Sequence, residues 1–128
     1  MTAMLKKNLS STYDDALAKL PDLLKAEGFG VLTEIDISQT LKKKLDVDFR
    51  RYKILGACNP TFAHKALSVS LDVGLLLPCN VVVYEGDDGH ATVMAIDPMQ
   101  TVAASDPRLA EVAGTVREKL ARVLEKLA

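Results

Sequence analysis

Asn80 to Asp97, NVVVYEGDDGHATVMAID, decides the fold. Two runs rich in β-branched residues flank a short polar stretch in which Asp87, Asp88 and Gly89 are turn formers, so the segment predicts a β-hairpin. A hairpin is antiparallel by construction, and an antiparallel sheet can pack helices on one face.

Working outward, Ser105, Asp106 and Pro107 predict a helix start, and Leu109, Val112, Val116, Leu120, Val123 and Leu127 form one apolar stripe. Gly114 lies inside that helix at a cost of roughly 1 kcal/mol against alanine, and a close backbone approach to the sheet is the expected reason for it. Upstream of the hairpin, Asn59 and Pro60 predict a capped helix start with Phe62, Ala63, Ala66 and Leu67 as its buried side, preceded by the strand RYKILGA (Arg51 to Ala57).

Val31 to Ile37 alternates as a half-buried strand, with Val31, Thr33, Ile35 and Ile37 on one face and Glu34 and Asp36 on the other; Ser38 then caps a short helix reaching Leu45. Nearer the start, Met4 to Leu9 predicts a strand. Tyr13, Ala16, Leu17, Leu20, Leu23 and Leu24 make a helical stripe stopped by Gly28, with Pro21 predicting a kink or restart near Leu20. One hairpin and two amphipathic helices of useful length make the fold class α+β, a mainly antiparallel sheet covered by helices.

Residues 1–128, at 13.9 kDa, read as a single domain able to bury its core without a metal or disulfide. With 16 basic and 17 acidic residues the net charge is −1, and no basic patch is interleaved with aromatics, which argues against nucleic acid as partner. Lys42, Lys43 and Lys44, flanked by Asp46 and Asp48, read as a solvated helix surface. No signal-peptide pattern and no membrane-length apolar run is present, so a cytosolic protein is expected, with Cys58 and Cys79 as free thiols.

Those cysteines carry the candidate site. GACNP (Gly56 to Pro60) and LLPCN (Leu76 to Asn80) each end an apolar run on a Cys-Asn pair beside a proline, which predicts that Cys58, Asn59, Cys79 and Asn80 converge with both sulfurs on one pocket wall. A thiol near a helix N-terminus can become a nucleophile or redox centre, whereas a buried one is a small hydrophobe. His64 is the local base for a Cys-His pair, but a turn and a half along a helix it faces away. A metal would draw on Cys58, Cys79, His64, His90 or Met94. None of the close spacings of a zinc site occurs, and no metal or other cofactor is expected. Glu34 and Asp36 are a further carboxylate pair, read as wet or paired with Arg51 or Lys53.

Taken together and in order, EGFGVLTEIDI, YKILGACNP, GLLLPCNVVVYE and AIDPM resemble the domain of unknown function 302 over nearly the whole chain. The resemblance implies a TATA-binding-protein-like arrangement, strand, helix, four strands, helix, commonly as a homodimer. It implies no established activity and supplies no catalytic residues. The function expected is a homodimeric domain binding a small, partly apolar molecule, because VGLLLPCNVVVY (Val73 to Tyr84) is richer than a one-sided sheet needs. The alternative is a thiol-dependent enzyme or redox protein using Cys58 or Cys79.

Overall fold

In the computed structural model, which describes residues 4–128, β1 (Met4–Asn8) leads into α1 (Tyr13–Ala26). Thr12 caps α1, its hydroxyl accepting from the Asp15 amide at 3.2 Å, and Asp14 and Asp15 occupy the first turn where the helix dipole favours negative charge. Tyr13, Ala16, Leu20 and Leu24 are buried. The restart expected at Pro21 does not occur: α1 is unbroken, and Pro21 lies on its exposed side, where water can serve the Leu17 carbonyl that loses its amide partner.

β2 (Gly30–Asp36) departs from the sequence reading. A bulge between Val31 and Thr33 sets Leu32 outside the ladder and breaks the predicted face; beyond it Glu34 lies opposite Leu55 and Asp36 opposite Lys53. As an edge strand it is largely exposed, Ile35 being 47% accessible. Ile37 belongs to α2 (Ile37–Leu45), capped by Asp36 rather than Ser38, with the Gln39 amide donating to Asp36 Oδ1 at 2.9 Å. Lys42 pairs with Asp46 and Asp48 in solvent at 3.1 and 3.2 Å.

Next come β3 (Tyr52–Cys58), α3 (Pro60–Val69), a 3-10 segment (Leu71–Leu76), β4 (Cys79–Glu85) and β5 (Ala91–Ile96). The β4–β5 hairpin closes through Gly86 N–H donating to His90 O at 2.8 Å, with Gly89 at φ +83°, where glycine is favoured. α4 (Val102–Ser105), a 3-10 turn (Pro107–Leu109) and α5 (Ala110–Glu125) complete the chain. Sheet order is β1-β5-β4-β3-β2, every neighbouring pair antiparallel, so the fold is α+β on an antiparallel sheet.

One sheet face carries the main core: Leu55, Ala57, Val81, Val83, Val93 and Ala95 cluster with Leu20 and Leu24 of α1 and Val116, Leu120 and Val123 of α5. A second, smaller cluster joins Ala66 of α3, Val73, Val102, Leu109 and Ala113. On the opposite face, cross-strand register aligns Ile35, Ile54, Val82, Met94 and Lys6 in one row and Tyr52, Tyr84, Thr92 and Asn8 in another. Tyr52 and Tyr84 stack at 5.7 Å between ring centroids.

Two further expectations change. A Cβ at Gly114 would meet only Met99 Sδ, at 3.8 Å, so no close approach to the sheet explains the glycine; the small residue that seats α5 is buried Ala113. The apolar run before Cys79 is not strand: Leu71 and Leu75 in the 3-10 segment are 85% and 91% exposed. The apolar second face comes instead from single positions on β2 to β5, Ile35, Ile54, Val82 and Met94.

Candidate functional site

The ends of β3 and β4, α3 and α5 line a partly open cavity of about 40 Å³ at the seam between the two apolar clusters. Ala57, Cys58 and Cys79 form its sheet wall; Phe62, Ala63 and Ala66 come from α3, and Val112, Ala113 and Val116 from α5. Phe29, Leu77, Pro98 and Val102 complete the lining, with Asn59 as the one amide side chain.

The cysteines meet at adjacent strand ends. Cys79 lies opposite Ala57 in the antiparallel ladder, Cys58 is the last residue of β3, and both line the cavity. Cys58 is half-buried and Cys79 buried, both as free thiols. Burial pushes the Cys79 thiol up from 9.0 to about 11, with a further push from Cys58, because a thiolate there would lose its hydration. At neutral pH Cys79 is therefore a protonated, weakly nucleophilic wall group.

Asn59 stands at the N-cap position of α3 but makes no side-chain cap bond. Its Nδ2 donates instead to the Glu27 carbonyl at 3.2 Å, tying the start of α3 to the end of α1. Glu27 also accepts two arms of Arg122, from Nε at 3.2 Å and Nη2 at 2.9 Å. That guanidinium holds the Glu27 carboxyl below its ordinary range.

The remaining predicted residues lie elsewhere. Asn80 is exposed beside Val82 and Met94 on the open sheet face, since its alternation with Cys79 turns it away from the cavity. His64 is exposed on α3 and outside the cavity lining. Glu34 and Asp36 line a separate, polar hollow with Gln39, Thr40 and Lys43. The Asp36 carboxyl lies below its usual range because the Gln39 amide, Ser38 and Lys53 favour its charge, which describes a helix cap rather than an acid catalyst. His90 Nδ1 sits 3.2 Å from Asp88 Oδ2 at the hairpin tip. Among the described residues no group of three or more His, Cys, Asp or Glu is placed to hold a metal ion.

Sequence reasoning missed Phe29, Pro98, Val102 and Ala113. Ala113 borders the stripe residue Val112, but nothing local marks Phe29 or Val102 as neighbours of the cysteines.

The family model described as "Domain of unknown function DUF302" matches residues 5–127, nearly the entire chain and every residue of the cavity. The chain belongs to this family. A DUF302 protein from Bacillus stearothermophilus, an uncharacterized conserved protein known from its crystal structure, is 32% identical to it. Each chain is covered over 100% of its length, with a TM-score of 0.91. No curated protein matches. The DUF302 match thus assigns fold and family and leaves the chemistry of the cavity to its own residues. No helix among the described residues of this DUF302 chain is long and apolar enough to cross a membrane.

Proposed function

We propose that this DUF302 domain works in the cytoplasm as a homodimer and holds a small apolar molecule, or the apolar end of a larger one, in the cavity beside Cys58 and Cys79. The observation that carries the reading is the cavity's lining: almost entirely apolar, walled by the sheet and by separate helices, with one amide at its edge. Its 40 Å³ exceeds the roughly 10–15 Å³ that one water needs, yet apolar walls give water few partners. Benzene sits in an engineered apolar cavity of about 150 Å³, so the space here suits a group of only a few heavy atoms.

The thiol-enzyme alternative has less to stand on. Nucleophilic cysteine needs a base in reach, and His64 is outside the lining while burial keeps Cys79 protonated. Dimerisation rests on the open sheet face, where apolar Ile54, Val82 and Met94 lie side by side with no core cluster over them.

Xenon tests the cavity without requiring any hydrogen bond. Methyl resonances of Ala63, Ala66 and Val116 followed under xenon pressure should shift along a saturating curve. Shifts that rise linearly with pressure, and equally at methyls outside the cavity, would overturn the binding reading.

A further inference from the structure

The cavity has an asymmetric enclosure. Its sheet wall is laddered on both sides: β3 pairs with β2 and β4, and β4 pairs with β3 and β5. Facing it beside α5, the wall formed by Phe62, Ala63 and Ala66 of α3 and by Leu77 beyond the 3-10 segment is attached quite differently. Among the described residues, every hydrogen bond made by residues 60–77 stays within that stretch or reaches only to Asn59, as in Ala63 N–H to Asn59 O, Ser70 N–H to Ala66 O and Leu77 N–H to Gly74 O. No ion pair joins the stretch to the rest of the described chain; the charged contact it has is Lys119 Nζ of α5, 5.9 Å from the Phe62 ring centroid.

Apolar packing and that one cation–ring contact therefore hold it down, and the packing is small. Ala66 and Val73 are its buried members, with Leu67, Leu76 and Leu77 partly buried beside them in the minor cluster, and Phe62 is its one contact with the main cluster. Leu71 and Leu75 face outward and contribute nothing to the seam. At its start the stretch meets the Asn59 to Glu27 tether. Segments with few buried apolar contacts and only local hydrogen bonds open at lower free energy than the sheet they cover.

We infer that residues 60–77 are the gate of the cavity: they swing from the Asn59 tether as a unit, break the minor cluster, lift Phe62 off the main one, and uncover Cys79 while the five-stranded sheet stays intact. The inference rests on the binding reading for its purpose, since a space of about 40 Å³ admits larger apolar molecules only when a wall moves. The opening itself stands on how the wall is attached.

The test is hydrogen exchange on the full chain at rising guanidinium concentration, with N-ethylmaleimide labelling of each cysteine followed by peptide mass mapping. Amides of residues 61–76, in a detached segment too short to stay helical alone, should exchange about a hundredfold faster than those of Val81 to Tyr84, with a denaturant dependence weaker than theirs but measurable, because opening exposes the minor cluster. Cys79 should label with that same faster opening. Val73→Ala, which removes a gate anchor, should speed Cys79 labelling about tenfold or more; Val93→Ala, which weakens the main core, should leave it unchanged in the absence of denaturant. If Cys79 labels only as fast as Val81 to Tyr84 exchange, the gate is overturned, even if the amides of α3 exchange quickly, because fraying without uncovering the cavity is not gating. Benzene separates the two proposals. Should Cys79 follow the gate while saturating benzene leaves its labelling unslowed, the gate stands and the binding reading loses its larger ligand.

Discussion

Asn59 reaches away from the helix it introduces: its Nδ2 bonds the Glu27 carbonyl at 3.2 Å and leaves the first amides of α3 without a side-chain cap. The residue is nine-tenths buried, so its amide bridges two helix ends in a place where an unpaired donor would be costly. This separates two explanations that the sequence leaves merged. Serine is as good a cap as asparagine but too short to reach Glu27. Asn59→Ser should therefore lose about as much stability as Asn59→Ala, on the order of 1–2 kcal/mol by urea unfolding. A serine variant as stable as the parent would mean that capping, not bridging, is what the position requires.

Where the sequence was informative, its signals were local. The hairpin turn at Asp87 to Gly89 and the stripes of α1 and α5 each depend on residues a few positions apart, and each appears in the structure. What could not be read was set by partners distant in the chain. The β2 bulge follows from register against β3, and nothing within VLTEIDI marks Leu32 as the extra residue. Alternation sends Asn80 to the face opposite Cys79, so a pattern that looked like four converging residues delivers three, Cys58, Asn59 and Cys79. Phe29 and Val102 enter the cavity only through the packing of the two clusters.

Cys79 should leave a mark on stability at high pH. Its folded value, about 11, lies above its ordinary 9.0, so the native state holds the proton more tightly than the unfolded chain. The associated stability is fully present below pH 9 and is lost as pH rises towards 11. Two pH units correspond to about 2–3 kcal/mol. Cys79→Val should flatten the alkaline limb of the stability curve between pH 9 and 11 relative to the parent. Parallel curves for the two proteins would show that the thiol is not held in the protonated state.

Two glycines should respond in opposite directions to alanine. A methyl at Gly56 would overlap the Thr33 hydroxyl and come within 2.8 Å of Pro78 Cγ, so Gly56→Ala forces apart the strand and the proline segment on either side. Overpacking of this kind costs about 1–3 kcal/mol. At Gly114 the same methyl meets only Met99 Sδ at 3.8 Å, an ordinary contact, and the helix gains up to about 1 kcal/mol of propensity. Thermal melts should show Gly56→Ala lowered and Gly114→Ala raised; a lowered Gly114→Ala would restore the close approach inferred from sequence.

The open sheet face gives the last prediction. Ile54 lies opposite Val82, and Val82 opposite Met94, so three apolar side chains stand shoulder to shoulder on adjacent strands, with exposed Ile35 at one end of the row and Lys6 at the other. Both α1 and α5 are committed to the opposite face. A second copy is the simplest cover, because a two-fold axis lets one apolar row meet its own image and buries the patch on both subunits at once. Val82 is central in that row and half-buried in the single chain, so Val82→Glu places a carboxylate in the proposed interface while leaving it a route to solvent in the monomer. Sedimentation equilibrium at tens of micromolar should give twice 13.9 kDa for the parent and 13.9 kDa for the variant, with matching far-ultraviolet circular dichroism. A parent that sediments at 13.9 kDa throughout would leave the face to some other partner and end the homodimer proposal.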